Sequence, residues 1–289
     1  MKSSFLHHAL ASVLTIGLLT SLSALAGEPI AMTTDVQGQA WIVEGGKQVP
    51  LSIMSYLPSG AKLRLEKGAR VAVTYFAQPR EYTLNGPLQA VVEAGQLRAD
   101  GGATTRRTLD PGQNAASKQF SARQRDQQAI ATFEMKAVGV LQLDQPADTK
   151  LLDRPGEFTW QAIDNVSRYT LTLRDAQGKI LYQGESSTPR LKLPANVALV
   201  AGQGYRWTVE AIGVDGATQT ASSDFAMLDE ATRKSLDQRK PKPGASFSER
   251  LIYATMLDNA GATLAANAYW KALAKERPQD VTLQQLGSH

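Results

Sequence analysis

The chain contains no cysteine, and its three histidines fall at its extremities: His7, His8 and His289. Without thiols there is no disulfide, no thiolate nucleophile, no zinc–cysteine site and no lipid anchor on cysteine. Without histidine in the body of the chain, the usual proton shuttle near neutral pH and the commonest metal ligand are missing too. An excess of one charge is also lacking. Lys and Arg number 31 against 27 Asp and Glu, a formal charge of +4, which losing Lys2 would lower by one. That is too little for a nucleic-acid binder and permits only weak attraction to anionic lipid or wall polymer. No Walker sequence, H-E-x-x-H, G-x-S-x-G or calcium loop occurs, and after residue 26 no run is long and apolar enough to cross a bilayer. The expectation is therefore no catalytic residue, no metal site and no cofactor.

The N-terminus carries a targeting pattern. Lys2 precedes an apolar stretch from Ala9 to Leu25 interrupted only by Ser, Thr and Gly, and Ala24-Leu25-Ala26 has the small-x-small form of a cleavage site. This predicts a signal peptide over 1–26, export to a bacterial periplasm, and no integral membrane segment after cleavage. Retention as an uncleaved anchor is the other reading, since the stretch is near the shortest that spans a membrane. Asn165-Val166-Ser167 has the form of a glycosylation triplet and reads as chance in such a host.

The mature chain, at 43% apolar residues over the whole sequence, predicts a mainly β protein: a small N-terminal β domain, a β-sandwich and a C-terminal α-helical hairpin. Over 27–99, Ala61, Leu63 and Leu65 alternate with charged residues; Ala69, Val71, Val73 and Tyr75 repeat the pattern, and Leu88, Ala90 and Val92 follow. Such alternation marks strands with one buried face. The breaks fall at Gly45-Gly46, Pro58-Ser59-Gly60, Lys67-Gly68, Asn85-Gly86-Pro87 and Gly95, all turn-forming residues.

Gly38, Leu51, Leu57-Pro58-Ser59-Gly60-Ala61-Lys62-Leu63, Gly68-Ala69-x-Val71-x-Val73-x-Tyr75 and Glu93-Ala94-Gly95-Gln96-Leu97-Arg98 together resemble a FecR-type periplasmic domain over about a quarter of the chain. The chain departs from the usual pattern at Lys67, where threonine often precedes the glycine, and at Ala77-Gln78-Pro79, which replaces an Asp-Gly turn. Members that regulate sigma factors carry a cytoplasmic domain before a membrane span, and the eight residues ahead of Ala9 leave no room for one. The resemblance therefore implies signalling, if any, through the outer domain of another membrane protein.

From 100 to 137 Gly, Thr, Arg, Gln and Ser dominate, which predicts a linker, with a short helix over Gln124–Ala137. Arg98, Arg106, Arg107, Lys118, Arg123 and Arg125 concentrate here, either as a solvated face or as an interaction patch for wall polymer or lipid.

Strands return over 138–228, where Phe158-Thr-Trp160, Tyr169-Thr-Leu171-Thr-Leu173, Leu191-x-Leu193 and Tyr205-x-Trp207-x-Val209-x-Ala211 alternate and Asp215-Gly216 signals a hairpin. About seven strands in such a length give a sandwich resembling a fibronectin type III or immunoglobulin-like module. Trp160, Tyr169, Tyr205 and Trp207 match the core aromatics of such modules, with a sugar-binding face as the alternative.

Over 229–289, Asp229 caps one helix, Ser246-x-x-Glu249 is a capping box that starts a second, and Leu264, Ala265, Ala268, Tyr269, Ala272 and Leu273 form one face of a third before Pro278. The pair resembles a single tetratricopeptide-like unit, through Ala265, Tyr269, Ala272 and Pro278. A single unit cannot bury its face alone, so docking on the sandwich or on a partner is expected.

Ser59-Gly-Ala-Lys62 matches the S-x-x-K of serine acyl-enzymes, but that chemistry needs a helix start, and Pro58 and Gly60 place the serine in a turn. The K-T-G and S-D-N companions are absent. These observations predict a non-enzymatic exported binding or scaffolding protein with an envelope protein as partner. A cell-wall polymer binder is the alternative and a wall-processing hydrolase the third reading; no nucleic-acid partner is expected.

Overall fold

The computed structural model describes residues 28–110, 112–113 and 140–288. The chain is mainly β, with four helices at the C-terminal end among the described residues. The first β unit holds ten strands: β1 Pro29–Gln37, β2 Ala40–Glu44, β3 Lys47–Pro50, β4 Tyr56–Pro58, β5 Lys62–Leu65, β6 Arg70–Tyr75, β7 Arg80–Asn85, β8 Leu88–Glu93, β9 Gln96–Asp100 and β10 Ala103–Thr108. They form two five-stranded sheets, ordered β10-β7-β6-β1-β4 and β3-β2-β5-β8-β9. Leu57, Leu63, Val71, Val73, Leu84 and Val92 pack between them with almost no exposure, following the alternation along β5, β6 and β8. Gly38 turns the chain from β1 into β2 at φ 72°, and a Cβ there would stand 3.0 Å from the Ala69 Cα, so both the dihedral and the close approach require glycine.

The first sheet is covered on both faces. Met32, Thr34, Ala72 and Thr74, the positions of β1 and β6 opposite to the inter-sheet core, are also buried. The alternation of β6 predicts only one covered face. Burial is 5% exposure or less across Val71 to Tyr75 because helices lie on the far side.

A solvated linker beginning at residue 100 is corrected. Ala103–Thr108 is β10, pairing antiparallel with β7 from Ala103–Asn85 to Thr108–Arg80. Its residues are polar because it is an edge strand with most of its side chains in solvent. The helix expected over Gln124–Ala137 lies outside the described residues.

The second unit is a sandwich of eight described strands: β11 Leu143–Gln145, β12 Thr149–Leu151, β13 Glu157–Trp160, β14 Val166–Asp175, β15 Ile180–Ser186, β16 Arg190–Lys192, β17 Gly204–Gly213 and β18 Thr218–Met227. Sheet β11-β13-β16 faces sheet β12-β18-β17-β14-β15. Trp160, Tyr169, Tyr205 and Trp207 are all buried in it, so the aromatics are core. Phe158 and Trp207 approach at 5.0 Å between ring centroids, and the Trp207 indole N–H donates to the Pro146 carbonyl at 2.6 Å, meeting the polar requirement of a fully buried tryptophan.

The helical end comprises α1 Glu230–Arg239, α2 Phe247–Asn259, α3 Thr263–Glu276 and α4 Val281–Gly287. Helices α2 and α3 form the expected hairpin, and α4 adds a turn-length third layer. Asp229 caps α1 through the Thr232 N–H, and the Ser246–Glu249 capping box opens α2. Docking on the sandwich is only part of what occurs. Leu251, Tyr253, Ala254, Leu257 and Trp270 share one core with Met32, Ile53, Met54 and Phe76 of the first unit. That face of the first unit is apolar and left uncovered by its own sheets, so it takes the apolar side of the hairpin. The contact with the sandwich is smaller: the Lys150 N–H donates to the Gly261 carbonyl at 2.8 Å, and the Leu264 N–H to the Thr149 hydroxyl at 3.3 Å.

Candidate binding groove and the polar seam behind it

The hairpin is fastened to the first unit by charged groups that also terminate helices. Glu81, on β7 and 3% exposed, accepts from Thr34 Oγ1 at 3.2 Å, Thr74 Oγ1 at 3.3 Å and Arg107 Nε at 2.7 Å, and from the Ser248 hydroxyl on the first turn of α2. Burying a carboxylate is costly unless its lone pairs are filled, and here four donors from β1, β6, β10 and α2 converge on it. Arg107 Nη1 also reaches Glu249 at 2.8 Å. Burial pushes the Glu249 carboxyl up, but the Ser246 backbone N–H and hydroxyl and the Arg107 guanidinium outweigh it and hold the group below the usual carboxylate range.

A second anchor lies at the far end of the hairpin. Arg277, which follows α3, makes a forked contact to Asp35 on β1, Nη2 to Oδ1 at 2.9 Å and Nε to Oδ1 at 3.1 Å, while its guanidinium stands 4.3 Å from the centre of the Phe247 ring. Asp280 caps α4 through the Leu283 N–H at 3.1 Å and also accepts from the Ile53 N–H at 2.9 Å.

These placements resolve the basic patch read from the sequence. Arg98 is on β9 of one sheet, paired with Glu93 at 3.0 Å. Arg106 is exposed on β10 of the other sheet. Arg107, the next residue, is an internal fastening rather than a free cation. Lys118, Arg123 and Arg125 lie outside the described residues. Of the described members, Arg107 is thus internally paired, while Arg98 and Arg106 stand on different sheets. Sequence pattern missed the role of Arg107 because Glu81 and Glu249 are distant in the chain.

Ser59 and Lys62 sit at the exposed turn between β4 and β5 and on β5, without a helix start. Among the described residues no group of three or more His, Cys, Asp or Glu is placed to hold a metal ion, and no helix is long and apolar enough to cross a membrane.

On the opposite side of the hairpin, where the α2–α3 turn meets the sandwich, an open groove of about 860 Å³ is formed. It runs from β12 and the Gly261 turn across the ends of β17 and β18 to the β14–β15 turn. Most of its lining is apolar, with Tyr205, Phe225 and Ala226 among its residues. Tyr205 and Phe225 stack at 5.3 Å and are almost fully buried in the sandwich core, so little of either ring reaches the groove. Its charged lining residues are balanced in number, Lys150, Arg174 and Arg206 against Asp148, Asp175 and Asp224. Arg206 and Asp224 neutralise each other through two bonds of 2.8 and 2.7 Å, and the Arg206 guanidinium holds Asp224 below the usual range. The Asp175 carboxylate accepts the N–H groups of Gln177 and Lys179 and closes the β14–β15 turn. Arg174 donates to the Gly178 carbonyl at 2.9 Å. Lys150 lies along Gly261, where a Cβ would meet its alkyl stem at 3.4 Å.

No protein-family model matches the chain, and no curated protein matches its sequence. Among solved structures it is similar to CopC from Methylosinus trichosporium OB3b, with 16% identity and a TM-score of 0.26, over 31% of this chain and 95% of that one. A likeness at that score carries no inference about ligand, partner or compartment.

Proposed function

We propose that this is a non-enzymatic, exported binding protein of the bacterial envelope, acting through a protein partner. The observation that carries the reading is the groove at the junction of sandwich and hairpin. It is large, open and mostly apolar, it is lined by the sandwich and the α2–α3 turn, and the hairpin that supplies that turn is fixed to the first β unit through a common core and two charged anchors. A pre-formed concave surface on a rigid frame suits recognition without chemistry. The signal-peptide pattern supports export, and the FecR-type and fibronectin-like motifs support a recognition role for the two β units.

The test is site-specific photo-crosslinking in intact cells, with the crosslinker at Ala176 or Thr263 on the groove and at Lys271 on the outer face of α3 as control. Capture of one defined envelope protein from the groove positions and not from Lys271 is expected. Equal capture from all three, or none, overturns the reading. Co-sedimentation with purified peptidoglycan would move it to wall binding, and a clearing zone on a peptidoglycan gel would move it to a hydrolase.

A further inference from the structure

We propose that the protein forms a symmetric dimer through β15, whose free edge pairs antiparallel with the same edge of a second copy about a two-fold axis at Gly184. This goes beyond the groove and does not depend on it.

The four sheets of the described residues end in β10, β4, β3, β9, β11, β16, β12 and β15. An unpaired edge is a template for another strand unless it is short or carries proline or charge. β4, β11, β12 and β16 are three residues long. Lys47 and Pro50 blunt β3, Arg98 blunts β9 and Arg106 blunts β10. β15 is seven residues long and has no proline, lysine or arginine. Its one charged side chain, Glu185, leans back towards Arg168 of its own sheet at 3.7 Å. β14 occupies one side of β15, and no described strand pairs with the other.

The side chains favour a second copy as the occupant. The register of β15 against β14 shifts between Leu173 and Arg174, so the regular stretch is 182–186, centred on Gly184. Faces match across a two-fold axis only when the axis passes through a residue, because a slip of one flips every side chain. An axis at Gly184 sets Gln183 opposite Glu185 of the second copy and Tyr182 opposite its Ser186, each pair occurring twice. Gln183 and Glu185 are exposed on the outer face, in register with Thr172 and Thr170. An amide donor there meets a carboxylate acceptor. On the other face a large ring meets a small hydroxyl. A Cβ at Gly184 would collide with the Tyr182 hydroxyl, so glycine lets the ring lie along the strand and lets two backbones approach at the axis. The strand thus carries both halves of each pair, as an isologous contact requires.

Pairing would join two five-stranded sheets edge to edge and set the two β14–β15 turns, with the grooves they border, at opposite ends of the joined strands. One strand edge buries less than the about 1,600 Å² of a standard interface, so the dimer is expected to be reversible.

Sedimentation velocity of the mature protein, in a dilution series reaching about 200 μM, tests this. A species of twice the chain mass should grow with concentration. Q183E sets like charges opposite each other twice and should weaken the dimer about tenfold, and adding E185K to Q183E should restore it. K271Q should leave it unchanged, and all variants should keep the native melting temperature. Because the chain has no cysteine, Q183C and E185C can be mixed under oxidising conditions, and a crosslink between the two variants is expected. A monomer at every concentration, a dimer indifferent to Q183E, or no crosslink in the mixture overturns the proposal. So does a monomer whose photo-crosslinker at Gln183 captures a different protein in cells, which would assign the edge to a foreign strand. Capture at Ala176 should survive Q183E, so this proposal and the groove reading fail separately.

Discussion

Arg277 and Asp35, 242 positions apart, make a forked ion pair in which the Arg277 guanidinium is held at 4.3 Å over the Phe247 ring. The pair joins the end of α3 to the first strand of the protein, so a group that terminates a helix also closes the tertiary structure. Glu249 and Asp280 repeat the arrangement: each caps its own helix and binds the first β unit with the same carboxylate. Docking of the helical end and local helix formation are therefore coupled.

Glu81→Gln should destabilise the protein strongly. The substitution keeps shape but leaves Arg107 partly buried without its main counter-charge, at a cost of about 3 kcal/mol. Urea unfolding at neutral pH measures it. Ser248→Ala should cost less, about 1 kcal/mol, because three donors remain on Glu81. A Glu81→Gln effect smaller than that of Ser248→Ala would mean that the ion pair is not the dominant fastening.

Stability should fall with acid, and the hairpin should loosen with it. Glu249 and Glu276 are both held below their ordinary value of 4.5, Glu249 by its cap and Arg107 against the effect of burial, Glu276 by its hydrogen bond from Arg250. A depressed folded-state pKa gives stability that is present above the unfolded value and lost as pH falls through the folded one. Urea midpoints should therefore hold from neutrality down to about the ordinary value of 4.5 and fall below it, and Glu249→Gln should be weaker at neutrality but less sensitive to acid. A parallel fall for Glu249→Gln and the native protein would exclude Glu249 as a contributor.

Removing the helical end after Gly244 should expose Met32, Ile53, Met54 and Phe76, which the native fold covers. The truncated protein should bind an apolar dye such as ANS and self-associate at concentrations where the native protein stays monodisperse. Light scattering and dye fluorescence read this, and a clean, dye-silent truncation would show that the first unit closes its own face.

Gly38→Ala should cost about 2 kcal/mol, from the left-handed backbone and from the 3.0 Å approach to Ala69, a backbone atom that cannot swing away. Gly45→Ala serves as comparison, since it shares positive φ but has open space around it. The difference in melting temperature between the two isolates the packing contribution. Equal losses would remove it.

Much of this architecture can be read from local pattern. The alternation of Ala61, Leu63 and Leu65, of Val71 and Val73, and of Tyr205, Trp207 and Val209 predicts strands and their buried faces, because the period of two is a property of the strand itself. The capping box at Ser246 and Glu249 is equally local, its partners being three residues apart. β10 was hidden because an edge strand carries polar residues, and Thr104, Thr105 and Arg106 resemble a linker until β7 is placed beside them. The groove was hidden for a different reason. Lys150, Arg174, Phe225 and Gly261 are ordinary residues of four separate segments, and no spacing relates them.

Short-range order is written in the residues themselves: strands, turns, caps, the aromatic core of the sandwich and the absence of thiol and histidine chemistry from the body of the chain. That Ala72 and Thr74 face helices rather than water, that Arg107 is a fastening rather than a surface cation, and that Lys150 and Arg174 line one groove follow from contacts between distant segments. The physical reason is range. Backbone periodicity and capping act over a few residues, whereas burial and ion pairing depend on which distant segment supplies the other surface, and that choice is made by the fit of whole apolar faces.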